Sequence, residues 1–595
     1  MATTTGTDAV AAHDVEHITH EKEDSHIGNV EHVTDEENVP AERPANYIPE
    51  NDDDYNVTFK TWIVVAILSW SYGVSFWIVP PLSAAMGVVS TQLGDPSAQA
   101  WYIPIYTLTI TVAFMVCGAN SDLFGRRWFI IGGNVLLLIG FLVGATAKTN
   151  TNMLIGMAFI GFGAGNAQLA AFALPELLPN KWRHIAIVIA DIGVLFDVVV
   201  GPVAGRFAAV NGEAWRWLFY GPVICVVPSF IGLYLYYYPP AHPRGLPFKQ
   251  AMKELDYGGA ILFTVSAVLI LIGVVYTTLM PSSDPHVIGT LVPGFVILVI
   301  FALYETYMPL KQPLTPSRVF KRGRGRELTA PFIAAAVVTA NYYGINVVWP
   351  TMINVFFTDA TTSVYRATAL TLPANLGLLL GAVALSFFGT AVGHWRWTLT
   401  GSVSIMVLFG ALLALGNPDR FGMMTAFVFL GQVGFGWAQY LSIAYVQFGT
   451  DQVELGIAGG LAGVARFAGG AIAISVYTTV LTNSQAKAAA DLIPKAAEAA
   501  GLAAENVPAL IAAMSAGADA LAEVPGITEE IIAAAFAAFK QTYVVGLRTT
   551  ALTSLAFGIV GIIACLCCQD ISPKMNKKIE VFLENDVNAE KNKFH

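Results

Sequence analysis

Fourteen apolar runs, each close to the ~20 residues a helix needs to cross a hydrocarbon core, decide what this chain can fold into. They lie at about 61–82, 100–119, 128–147, 152–173, 184–207, 217–238, 258–279, 287–306, 329–350, 367–390, 397–416, 421–446, 456–481 and 542–567. Lipid offers no hydrogen bonds, so each run must satisfy its own backbone and folds as a helix. With 55% hydrophobic and 12% charged residues the chain stands far from soluble proteins, where charged residues make up about a quarter. The expected fold class is an all-α membrane protein with 14 transmembrane helices, and its first partner is the lipid bilayer.

An even number of spans puts both ends of the chain on one side. With the N-terminus inside, the inner loops and C-terminal segment carry 19 Lys/Arg and the short outer loops five, so both termini are expected to be cytoplasmic. The net charge of −10 says little about the membrane body, because residues 1–60 hold 15 Asp/Glu against 3 Lys/Arg. That start, with five of the ten histidines, reads as a disordered acidic tail over 1–59. Nothing apolar precedes about residue 61, so insertion is expected to rely on the first span.

Composition divides the rest. Residues 60–238 read as an N-terminal six-helix half, and 239–327 as a basic linker with an inserted helix pair. Residues 328–567 read as a C-terminal six-helix half, and 568–595 as a cytoplasmic tail. Within the second half, an alanine-rich outer loop at 482–540 reads as short amphipathic helices, with Thr528-Glu529-Glu530 as a helix start. Five cysteines make no disulfide framework: Cys117 and Cys225 read as packing residues, and Cys565, Cys567 and Cys568 as candidates for S-acylation.

The loop between the second and third spans is Gly118-Ala-Asn-Ser-Asp122-Leu-Phe-Gly125-Arg126-Arg127. Gly118 permits close helix approach, Gly125 a tight reversal, and the arginines hold the loop inside. Asp122 can pair with them or with a helix N-terminus, and so latch one arrangement of a two-state bundle. The sequence resembles the G-x-x-x-D-x-x-G-R-R/K signature of major facilitator transporters. That resemblance implies the major facilitator fold: two six-helix halves plus a central inserted pair, rocking about a central site.

In the fifth span Gly193, Asp197, Gly201 and Gly205 recur every four residues with Pro202 beside them, one stripe of small residues for close helix contact. G-x7-GP-x-x-G resembles the antiporter motif of drug:proton exchangers, which implies export. Charges inside the membrane cost about 2.5–3.5 kcal/mol at mid-depth and should be paired or functional. Asp191, Asp197 and Arg466 qualify. Asp197 is the first candidate for proton coupling, Asp191 the second, and Asp197 and Arg466 are expected at equivalent mid-span places in the two halves. Where those exchangers carry an arginine in the fourth span this chain has Met157, leaving Asn166 and Gln168 as polar lining.

The candidate substrate contacts are aromatic and neutral: Tyr72, Tyr342, Tyr343, Asn346, Gln432, Trp437, Gln439 and Tyr440, with Trp77 and Trp349 read as interfacial anchors. Phosphate-loop, zinc-protease and G-x-S-x-G signatures are absent, so no enzyme, no metal and no cofactor is expected, and no nucleic-acid partner. Pro-Glu-Leu-Leu-Pro-Asn-Lys-Trp-Arg183, Leu255-Asp-Tyr-Gly258 and Asn341-Tyr-Tyr-Gly-Ile-Asn-Val-Val-Trp-Pro350 resemble the fungal fourteen-span branch of trichothecene efflux pumps and siderophore–iron transporters. The resemblance implies a monomeric, proton-coupled exporter of small amphipathic organic compounds in the cell membrane, or in a vacuolar or vesicle membrane. The alternatives are a siderophore–iron importer on the same scaffold and a non-transporting receptor.

Overall fold

The computed structural model describes residues 57–241, 245–281, 283–359, 361–516 and 524–592. The acidic start up to residue 56, with its five histidines, lies outside the described residues, as do Arg244 and Lys593. Among the described residues, fourteen helices are long and apolar enough to cross a membrane. They are α1 Phe59–Gln92, α2 Pro96–Phe124, α3 Arg126–Ala145, α4 Asn150–Glu176, α5 Asn180–Val210, α6 Gly212–Tyr236 and α7 Tyr257–Leu279. The second seven are α8 Pro285–Tyr307, α9 Thr329–Phe357, α10 Val364–Val392, α11 Trp395–Leu415, α12 Phe421–Phe448, α13 Leu455–Ala499 and α14 Glu529–Cys567. The chain is a multi-pass membrane protein. The face where α1 begins and α14 ends is called the tail face below.

Local chemistry sets the helix ends. Asp256 caps α7 by accepting the Gly259 N–H at 2.8 Å, which accounts for the Leu-Asp-Tyr-Gly entry. At Gly125 φ is +83°, a backbone that glycine adopts without strain and that turns α2 into α3 with no intervening loop. The adjacent prolines Pro80 and Pro81 cannot donate to the preceding turn, so α1 breaks near Trp77 and restarts at Val79. It runs ten residues beyond its expected end.

Helices α1–α6 pack among themselves, and so do α9–α14. The two groups meet along α2 against α13 and along α5 against α10. The pair α7–α8 lies outside both, touching α2 through Trp101 and Tyr276 (ring centroids 5.8 Å apart) and α13 through Thr277 and Ser475 (2.9 Å). Only Val287, Gly294, Phe301 and Glu305 of α8 are buried, as expected for a helix mostly surrounded by lipid.

The alanine-rich segment corrects the expectation of short separate helices. Alanine is the best helix former, so α13 runs on to Ala499 and α14 starts early at Glu529, where Thr528 accepts the Ile531 N–H. Among the described residues only Val507–Ala516 is a separate α-helix there. Leu502, Val507, Leu510, Val524 and Ile531 give the projection its own small core.

The glycine stripe of α5 packs on α1. A Cβ at Gly193 would lie 2.6 Å from the Gly73 Cα, and one at Gly201 2.7 Å from the Pro80 Cβ. Gly193→Ala is expected to force the two backbones apart at a cost of about 1–3 kcal/mol. Thermal melting in detergent would show a clear drop for it and none for Gly221→Ala, whose added methyl meets nothing within 4 Å.

Candidate functional site

Where α2 meets α13, the tail-face end of the interface is sealed. Gly163–Asn180 at the end of α4 and the turn into α5, Ala438–Thr450 at the end of α12 and just beyond it, and Leu455–Ala465 of α13 are buried without interruption, whereas Phe76, Val79, Tyr342, Tyr343, Asn346 and Arg466, nearer the far face, keep some exposure. The seal is built backbone on backbone: a Cβ at Gly118 would lie 2.6 Å from the Gly460 Cα.

Asp122 closes it electrostatically. Its carboxylate accepts the Gly456 N–H at 3.0 Å and the Ile457 N–H at 3.3 Å, the free donors at the start of α13, and Arg126 donates to it at 3.2 Å. Negative charge at a helix N-terminus is favourable, and more so away from water. Arg126 in turn pairs with Glu176 at the end of α4, and all three side chains are almost fully buried. Arg127, expected in the same latch, turns away: it donates to Tyr234 O at 2.8 Å and stacks on the Tyr238 ring at 3.7 Å, tying α3 to α6. Glu176 was missed by the sequence reading, although it stands as a lone acid at a helix end beside a basic loop, the same signal that singled out Asp122.

Midway along the interface lies a second cluster, and both groups of helices contribute to it. Asp191 sits at the break between the two segments of α5. Its carboxyl lies close to the Tyr72 and Tyr440 hydroxyls and faces the Arg466 guanidinium. Arg466 donates to Tyr72 Oη at 3.2 Å and lies over the rings of Phe76 and Phe467 at 5.9 and 5.8 Å. Tyr342 and Tyr343 also flank Arg466, and Tyr342 stacks on Phe435 with centroids 4.5 Å apart. Below the cluster Phe467 stacks between Phe76 and Phe114 at 6.2 and 5.8 Å. The phenylalanines give no polar signal in the sequence and went unnoticed there.

Of the remaining candidates, Gln168 donates to Ser75 Oγ at 3.1 Å, joining α4 to α1 beside Tyr106. Asn166 lies apart, bonded to Phe162 O and next to Cys117. Gln432 is buried against Gly377 between α12 and α10, and its Oε1 has no hydrogen-bond partner among the described residues. Trp437 packs beside Gly381, Gln439 is buried, and Asn346 is exposed with its amide donating to Tyr342 O at 2.9 Å. Trp349 is no interfacial anchor: it is 2% exposed and its indole donates to Leu370 O, fixing α9 to α10. Trp77 likewise ties α1 to α6 through Leu218 O. Of the three terminal cysteines only Cys567 is exposed.

Asp197 does not meet Arg466. It lies on the glycine stripe facing α1, makes no ion pair among the described residues, and its Oδ2 has no hydrogen-bond partner. The mid-membrane carboxyl that faces the cation is Asp191. A carboxyl so placed gives up its attraction for the guanidinium when a proton neutralises it, and the tie between the two groups of helices weakens.

Two helical groups meeting along paired helices, an inserted pair outside them and a buried charged cluster at their junction define a major facilitator transporter. The proton:xylose symporter XylE, solved with 6-bromo-6-deoxy-D-glucose, shares the fold at a TM-score of 0.50 and 14% identity over 72% of this chain and 90% of its own. A model described as the fungal trichothecene efflux pump family matches residues 31–595, and the chain belongs to that family. The MFS-type transporter prx5 of Penicillium rubens is 44% identical over 91% of this chain and 96% of its own length. Trichothecene efflux pump TRI12 of Fusarium sporotrichioides is 26% identical over 89% and 90%.

Proposed function

We propose that this protein is a proton-driven exporter of small, neutral, amphipathic organic compounds, a toxin or secondary metabolite, with the tail face in the cytoplasm. The observation that carries the reading is the Asp191–Arg466 cluster, shared by the two groups of helices directly above a sealed tail face. The Fusarium relative is named as a trichothecene efflux pump, which supports outward movement. Tyr72, Tyr342, Tyr343 and Tyr440 offer rings for stacking and hydroxyls for a few hydrogen bonds, the lining that suits an amphipathic ligand.

In the cycle we propose, a proton reaching Asp191 from the far face frees Arg466 and loosens the junction. The Asp122 latch then releases α13, the tail face opens, substrate enters, and loss of the proton to the cytoplasm re-forms the cluster. A proton moving inward through 100 mV supplies about 2.3 kcal/mol, and a pH gradient adds to it. Alternating exposure of the central cluster to the two faces is thus driven by one charge.

A strain lacking the gene should be hypersensitive to one or more toxins and grow normally on siderophore iron as sole source. Loss of growth on siderophore iron alone, with toxin tolerance unchanged, would overturn export in favour of import.

A further inference from the structure

After α14 the chain stays on the tail face and fastens to both groups of helices. Gln569 donates its N–H to Arg326 O at 3.1 Å, and Lys574 donates to Phe448 O at 2.7 Å and pairs with Glu327 at 3.2 Å. These anchors belong to the linker before α9 and to the end of α12. Two residues later the partners change sides. The Lys181 N–H donates to Asn576 O at 2.6 Å and the Asn180 N–H to Lys578 O at 2.9 Å, both from the start of α5. Val581 and Glu584 then donate to Glu176 O and Tyr238 O at 3.1 and 2.9 Å.

Side chains reinforce this second set. Glu580 accepts from Asn180 Nδ2 at 2.7 Å and Lys578 Nζ at 2.6 Å, and lies within electrostatic reach of Arg183. Leu583 is fully buried. Asp586 accepts from Thr61 at the start of α1 at 2.9 Å, and Asn592 folds the end back with bonds to Phe582 N and O at 2.9 and 3.0 Å.

We propose that residues 569–592 form a strap that holds the tail face shut, and that the strap must leave one group of helices before this face can open. The tether is short, the Lys574 side chain plus a stretch of backbone. Between Lys574, anchored to α12, and Asn576, anchored to α5, the chain has two residue steps, about 7 Å at full extension. Separation of α5 from α12 by more than a few ångströms breaks one set of anchors. The strap also docks on the Glu176–Arg183 turn, whose Glu176 holds Arg126 of the latch, so releasing either loosens the support of the other.

The inference rests on alternating opening of the two faces but needs neither substrate nor proton to be tested. Ala171 on α4 is 4% exposed inside the seal, where Gln447 of α12 donates to its carbonyl. In full-length Ala171→Cys protein, N-ethylmaleimide labelling at that position is followed by peptide mass spectrometry. Adding Asn180→Ala and Glu580→Gln should raise the labelling rate at least fivefold. A second variant adds Lys181→Cys and Asn576→Cys, which face each other across a backbone hydrogen bond. Its oxidised form should label at background rate, and reduction should restore labelling. An unchanged rate in the first variant, or undiminished labelling in the oxidised second, would overturn the strap. Neither result would touch the export reading, which the growth assay decides.

Discussion

Asp191→Asn is expected to cut pH-driven accumulation of substrate in inside-out vesicles about a hundredfold. Asparagine fills the same volume beside Tyr72 and Tyr440, but it carries no charge toward Arg466 and takes up no proton. The change leaves the buried Arg466 guanidinium without the negative charge that faces it, so the single variant should also melt earlier. The double variant Asp191→Asn/Arg466→Gln separates the two effects: neutralising both sides should restore thermal stability and leave pH-driven accumulation lost. Exchange of substrate down its own gradient should persist in the double variant, because the aromatic lining is intact. Asp197→Asn is the comparison, and should retain most of the pH response since it faces no cation. Full pH-driven accumulation by Asp191→Asn would remove the proposed coupling site.

Asp122→Ala should shift the conformational equilibrium by at least about thirtyfold toward an open tail face. The change withdraws the acceptor from two helix-terminal N–H groups and from Arg126 at once. Truncating one member of a buried, hydrogen-bonded charge group costs about 2–5 kcal/mol, and 1.4 kcal/mol is a factor of ten. Because the bonds to Gly456 and Ile457 cross the seal, the loss is expected to fall on the closed state. Spin labels at Lys181, at the start of α5, and at Lys321, in the linker segment whose Arg318 and Arg322 pair with Glu454 and Asp451 beside α13, would report a longer distance distribution. Asp122→Glu should give an intermediate shift, and an unchanged distribution in Asp122→Ala would mean that Asp122 is not a latch.

The sequence made the helix count and the family legible because both rest on local signals, long apolar runs and a ten-residue loop. It placed Asp122 beside Arg126 for the same reason, since only one tight turn at Gly125 separates the two side chains. What it could not supply were partners distant along the chain. Gly456 and Ile457 lie more than 330 residues from Asp122 and carry no side-chain signal at all. Chemistry alone could not choose between Asp191 and Asp197, six residues and about 120° apart around the helix. Asp197 shares its face with Gly193, Gly201 and Gly205, so the stripe that drew attention to it also commits it to the contact with α1. The strap was invisible because its main bonds are backbone bonds, indifferent to residue type.

Helix α13 contains 45 residues, about 67 Å of unbroken rod, while the hydrocarbon core is about 30 Å thick. Its far third therefore stands clear of the lipid, braced by the start of α14 and rigidly continuous with the segment that bears Arg466. A lever of this length converts tilting into travel: every 10° turned at the membrane sweeps the tip by roughly 5 Å, on the geometry of a rod rising 1.5 Å per residue. The projection is a pointer whose position an external probe can read without entering the bilayer.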